Sequence, residues 1–88
     1  MRSILSVLAG AASLLPLLAG AVDINNADAE TLAAELNGVG VSRAEAIIEY
    51  REAFGAFQAP EDLLNVRGIG LQILDANRDN IEVGAMTQ

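Results

Sequence analysis

Two glycine hairpins of one design, thirty residues apart, constrain this chain more than any other feature. Leu36-Asn37-Gly38-Val39-Gly40 and Val66-Arg67-Gly68-Ile69-Gly70 each set a β-branched aliphatic between two glycines. Glycine admits positive φ and leaves no side chain in the way. Such a turn exposes successive backbone N–H groups with the start of the next helix behind them, an arrangement suited to a phosphate oxygen. The residue between the glycines, Val39 or Ile69, is free to point inward and anchor the turn. One such turn reads equally well as a plain connector; a second copy at a fixed offset weakens that reading.

Short amphipathic segments flank both hairpins. Residues 28–36 open with acids, as a helix start prefers, and set Leu32 and Leu36 on one face. A second helix is expected over 42–54, with Ala44, Ile47, Ile48 and Phe54 inward and Glu45, Glu49 and Glu52 outward. Pro60 suits the first turn of a third, over 60–66. A fourth runs over 70–80 with Ile73 and Leu74 inward. Phe54 and Phe57 are expected to pin the two halves together in the core; the hydroxyl of Tyr50 can reach the surface.

The absences narrow function. With no Cys, His or Lys, the chain has no thiolate, imidazole or Schiff-base chemistry and no cysteine- or histidine-ligated zinc. Carboxylates alone remain, and along exposed helix faces they read as solubilising charge. The chain reads as a non-enzyme with no cofactor, no metal site and no small-molecule substrate.

Composition also divides the chain. Residues 1–21 carry one charged side chain, Arg2, and an apolar run closing with Ala19-Gly20-Ala21. This is the pattern of a secretory signal peptide whose removal would leave Val22 first, with a retained membrane anchor as the competing reading. Either way the remainder is expected outside the inner membrane, as one domain over 22–83 with a disordered tail at 84–88. That remainder has four arginines against all twelve acids, a net −8, at a size near the lower limit for a self-sufficient core.

The order Val22-Asp23-Ile24-Asn25-Asn26-Ala27, first hairpin, Arg43-Ala44-Glu45-Ala46-Ile47-Ile48, Tyr50-Arg51, Phe57, Glu61-Asp62-Leu63-Leu64, second hairpin and Ile81 resembles the tandem helix-hairpin-helix domain of ComEA-like competence proteins. The resemblance spans about 22–83. It implies an all-α fold of two hairpin units in four to five short helices. It also implies sequence-independent binding of double-stranded DNA in the periplasm during natural transformation, alongside other components of the uptake machinery. By resemblance, Gly38, Val39 and Gly40 would offer amides to one strand, and Gly68, Ile69 and Gly70 to the other. Arg43 and Arg67 would pair with phosphates, contacts that position a protein without reading bases. Turn carbonyls over 36–40 could hold a cation by the same resemblance, but no residue specifies one.

The chain departs from the family pattern in informative places. Ser42 and the run Leu71-Gln72-Ile73 stand where lysines are usual, Asn37 where proline is common, and Asn77 where a core leucine is expected, so the last helix is expected to pack less tightly or end early. The acidic balance opposes approach to a polyanion, yet residues 36–44 and 63–74 contain no acid while Arg43 and Arg67 lie inside them. Charges beyond a Debye length of about 8–10 Å are largely screened. A DNA-facing side on an acidic body is thus one reading. A protein-interaction module of the envelope with the same fold is the alternative, and an accessory domain of a nuclease or glycosylase is a weak third.

Overall fold

A computed structural model describes residues 20–86. The leader expected over 1–21 lies outside the described residues except for its last two. Among the described residues the order is strand β1 (Val22–Asp23), helix α1 (Ala29–Glu35), helix α2 (Gly40–Phe54), a 3₁₀ helix (Pro60–Asn65), helix α3 (Leu71–Asn77), a 3₁₀ turn (Arg78–Asn80) and strand β2 (Ile81–Glu82). The fold is the expected tandem of hairpin units. The sequence reading did not foresee the parallel bridge of β1 with β2, Val22 opposite Ile81 and Asp23 opposite Glu82, which ties the two ends together.

Local chemistry sets the element boundaries. Asp28 caps α1 by accepting from the Thr31 amide at 2.8 Å. Pro60 opens the 3₁₀ helix, where its missing N–H has no partner to lose. The fourth segment, expected over 70–80, is α-helical only to Asn77 and tightens to 3₁₀ beyond it. Leu32, Leu36, Ile47, Leu63 and Leu74 fill the centre, with Val39 and Ile69 anchoring the turns into it.

The aromatic expectation needs correction. Phe57 is buried, but Phe54 is 76% exposed, and residues 52–55 are all exposed, so the last turn of α2 stands clear of the core. Half-buried Tyr50 joins them, stacked on Phe57 with ring centroids 5.2 Å apart and tilted against Phe54 at 4.8 Å. The inner half of this ladder packs the core; the outer half does not.

Two asparagines are buried, and each grips both backbone groups of one distant residue. Asn25 accepts from the Phe57 amide at 2.7 Å and donates to the Phe57 carbonyl at 3.0 Å. Asn77 accepts from the Asn37 amide at 2.8 Å and donates to the Asn37 carbonyl at 2.9 Å and to the Ile73 carbonyl at 2.8 Å. Every buried side-chain N or O among the described residues has a partner, as low-polarity surroundings require.

The segment after Glu82 is tied down at its start. Asn25 and Asn26 donate to the Gly84 and Ala85 carbonyls at 2.6 and 2.7 Å, and the Gly84 amide donates to Asp23 at 3.1 Å. The boundary expected before Gly84 therefore moves outward. A Cβ at Gly84 would collide with the Asp23 carboxylate. Partial burial pushes the Asp23 carboxyl up, but hydrogen bonds from the Asn26 side chain and from the Gly84, Asn25 and Asn26 amides together hold it below the ordinary carboxylate range. A depressed folded pKa stabilises above the unfolded value and is lost as pH falls through the folded one. Unfolding midpoints of wild type and Asp23→Ala should accordingly differ at neutral pH and converge below about pH 4. A difference constant from pH 7 to pH 3 would contradict that role.

Candidate nucleic-acid interface

The two hairpins are braced against each other by side chains at equivalent repeat positions. A Cβ placed on Gly68 would lie 3.3 Å from Arg43 Cγ, and one placed on Gly38 would lie 3.6 Å from Ile73 Cγ1. Residues 43 and 73, the third after each hairpin, thus each lie over the first glycine of the other. Gly38 and Gly68 also have φ of +82° and +90°, a backbone conformation that favours glycine at both positions. The second glycines differ, Gly40 at φ +65° and Gly70 extended at −105°, so the two turns are related but not identical.

The brace carries polar bonds as well. Arg43 Nε donates to the Gly68 carbonyl at 2.7 Å. In return Asn77, at the end of the helix after the second hairpin, clamps the Asn37 peptide of the first. Of the two outcomes expected at Asn77, looser packing or an early end, the helix does lose its α form directly after it, while Asn77 itself is 2% exposed and hydrogen-bonded through both side-chain atoms.

Not every sequence-predicted donor is available. The Val39 amide donates to the Leu36 carbonyl at 3.2 Å and the Ile69 amide to the Val66 carbonyl at 3.1 Å. These two residues therefore serve as buried anchors, and their amides are closed to a ligand. Among the described residues the amides without an acceptor around the turns include those of Gly38, Gly40, Val41 and Ser42 in the first unit and Gly68, Gly70, Leu71 and Gln72 in the second. Val41 and Leu71 replace Val39 and Ile69 as candidate donors. Finding them requires the turn geometry, because the glycine pattern alone does not show which amide closes the turn.

The arginines separate into two kinds. Arg51 donates to the Ile24 carbonyl at 2.8 Å, which holds the N-terminal strand. Arg78 is paired with Glu61 at 2.6 Å and Asp75 at 2.9 Å. Its hydrogen bond to Glu61 is the main cause that lowers the Glu61 carboxyl from its ordinary value and raises the Arg78 guanidinium. Arg67 has no hydrogen-bond or ion-pair partner among the described residues, and Arg43 engages only Nε. These two free guanidinium ends lie together, lining a shallow depression with Ser42, Ala46 and Gly68. The structure thus brings Arg43, Arg67 and Gly68 into one site.

A second cleft adjoins it. Arg67 also lines a groove with Glu49, Tyr50, Phe54 and Asn65, which brings one acid, Glu49, close to the basic pair. Among the described residues no group of His, Cys, Asp or Glu is arranged to hold a metal ion, and no helix is long and apolar enough to cross a membrane.

This geometry agrees with the sequence comparisons. A family described as the helix-hairpin-helix motif matches residues 19–82. An uncharacterized protein of Haemophilus influenzae is 47% identical over 60 residues, covering 68% of this chain and 54% of that protein. ComE operon protein 1 of Bacillus subtilis is 47% identical over 62 residues, covering 70% of this chain and 30% of that protein. The matched region is thus about half the length of the first relative and under a third of the second.

Proposed function

Because this chain belongs to the ComEA-like family of helix-hairpin-helix proteins, we propose that it binds double-stranded DNA without sequence preference, as a non-enzymatic component of DNA uptake in natural transformation. One observation carries the reading. Arg67 has no partner among the described residues and Arg43 engages only its Nε, and both lie beside the hairpins, next to two sets of unpartnered amides in stretches that contain no acid. Amides and arginines of this kind grip phosphates and leave the base edges unread. A periplasmic setting is part of the proposal and rests on the leader pattern of residues 1–21.

The test is direct titration of duplexes of unrelated sequence. Equal affinities are expected, because contacts to phosphates carry no sequence information. A strong preference for one sequence would contradict the reading.

Exposed Phe54, in the groove with Tyr50 and Glu49, favours a second reading in which the same fold docks a protein of the cell envelope. Failure to bind any duplex at low salt, with recovery of a stable protein partner lost on Phe54→Ala, would establish that alternative.

A further inference from the structure

We propose that Val41 and Leu71 form a matched pair of apolar contacts to the sugars of the nucleic-acid backbone, and that they make this face select deoxyribose over ribose. The inference rests on the DNA-binding reading and names the polymer that the same face prefers.

Val41 and Leu71 are thirty residues apart and occupy the same place in each repeat, directly after the second glycine. Both are large aliphatics left open to solvent, at 65% and 57% exposure, while the aliphatics between the glycines, Val39 and Ile69, are buried. Scattered exposed aliphatics are ordinary, but here exposure recurs in both repeats at a position whose own amide also has no acceptor. Val41 lies two residues before Arg43 and Leu71 four residues after Arg67, and these two arginines line one depression, so a polyanion is the occupant that their charge suits.

Chemistry links the amide to the side chain. Every backbone phosphate is esterified to a sugar on each side, so an amide that donates to a phosphate oxygen sets its own side chain beside a sugar. Deoxyribose presents an apolar C2′ edge that Val41 or Leu71 can cover. Ribose presents there a hydroxyl that is both donor and acceptor. Covering that hydroxyl with an aliphatic removes water without supplying a partner. Two such positions act on the same ligand. With few cations available, apolar contact also supplies affinity that salt does not weaken.

The test compares one sequence as DNA duplex and as RNA duplex, read by fluorescence anisotropy with the purified protein. Wild type should prefer DNA by about tenfold or more, the factor corresponding to one or two unpaired hydroxyls. The variant Val41→Thr/Leu71→Thr offers a hydroxyl at each position and should narrow that preference several-fold, with its salt dependence and thermal midpoint unchanged. Equal binding of the two duplexes by wild type overturns the inference while leaving DNA binding intact. A preference that survives unchanged in the variant also overturns it, because helix geometry then sets the selectivity. Binding of neither duplex refutes the DNA-binding reading itself.

Discussion

Asn37→Pro is expected to destabilise this protein by about 1–3 kcal/mol while Asn77 is present, and to be nearly neutral once Asn77 is leucine. Proline at 37 removes the N–H that Asn77 Oδ1 accepts at 2.8 Å, leaving a buried acceptor without a partner. Little else opposes the proline. Leu36, directly before it, already has φ −97° and ψ 119°, the extended conformation that a residue preceding proline prefers. With leucine at 77 the stranded oxygen is gone, and reduced freedom of the unfolded chain can offset much of what remains, by about 0.4–1 kcal/mol. The two family departures, asparagine for proline and asparagine for leucine, are therefore one coupled feature. A double-mutant cycle in urea measures this directly. For a domain of this size, 1 kcal/mol moves the thermal midpoint by about 4–8 °C, so the single substitution should be plainly visible. Additive effects at the two positions would mean that the clamp contributes nothing.

Arg43→Glu combined with Arg67→Glu is expected to weaken duplex binding on the order of a hundredfold or more, taking about 1.5–3 kcal/mol for each charged hydrogen bond lost. Reversal places two carboxylates in the depression that Arg43 and Arg67 line. Part of the Arg43 effect is positional, because Nε also holds the Gly68 carbonyl. Arg43→Lys separates the roles: it keeps the charge, loses the planar donor set, and should fall between wild type and the reversal. Arg78→Glu is the control. It makes the protein more acidic by the same amount as either single reversal, but Arg78 is already held by Glu61 and Asp75. Its effect on binding should be small. If Arg78→Glu weakened binding as much as Arg67→Glu, net charge rather than a local face would govern the interaction.

The parts legible in the sequence were those in which one residue type has one physical use. Paired glycines at a fixed offset marked both hairpins, Asp28 marked the start of α1, and Leu32, Leu36, Ile47 and Leu74 followed helical spacing into the core. Legibility failed where the outcome depends on which elements meet in space. Phe54 continues the apolar face of α2, but the last turn of that helix has nothing packed over it. Asn25 and Asn77 carry no sequence sign of the backbone groups of Phe57 and Asn37 that only the fold brings to them. A two-residue parallel bridge is too short to show strand alternation. At the candidate site, Arg43, Arg67 and Gly68 line one depression, whereas Val39 and Ile69 give up their amides to turn bonds that periodicity cannot reveal.

The acidic balance of residues 22–88 gains a structural setting. Asp28 caps a helix, Asp23 holds the C-terminal crossing, and Glu61 and Asp75 bind Arg78, so several acids are engaged within the fold. The central claim is that an acidic domain grips a duplex through two arginines and neutral amides. Its most direct test is a duplex titration of the chain from Val22 onward across a range of salt concentrations. The account predicts measurable binding at low salt and a log–log slope near −2, from about −0.9 for each of two neutralised phosphates. No binding at the lowest salt, or a slope of about −5 or steeper, would contradict it.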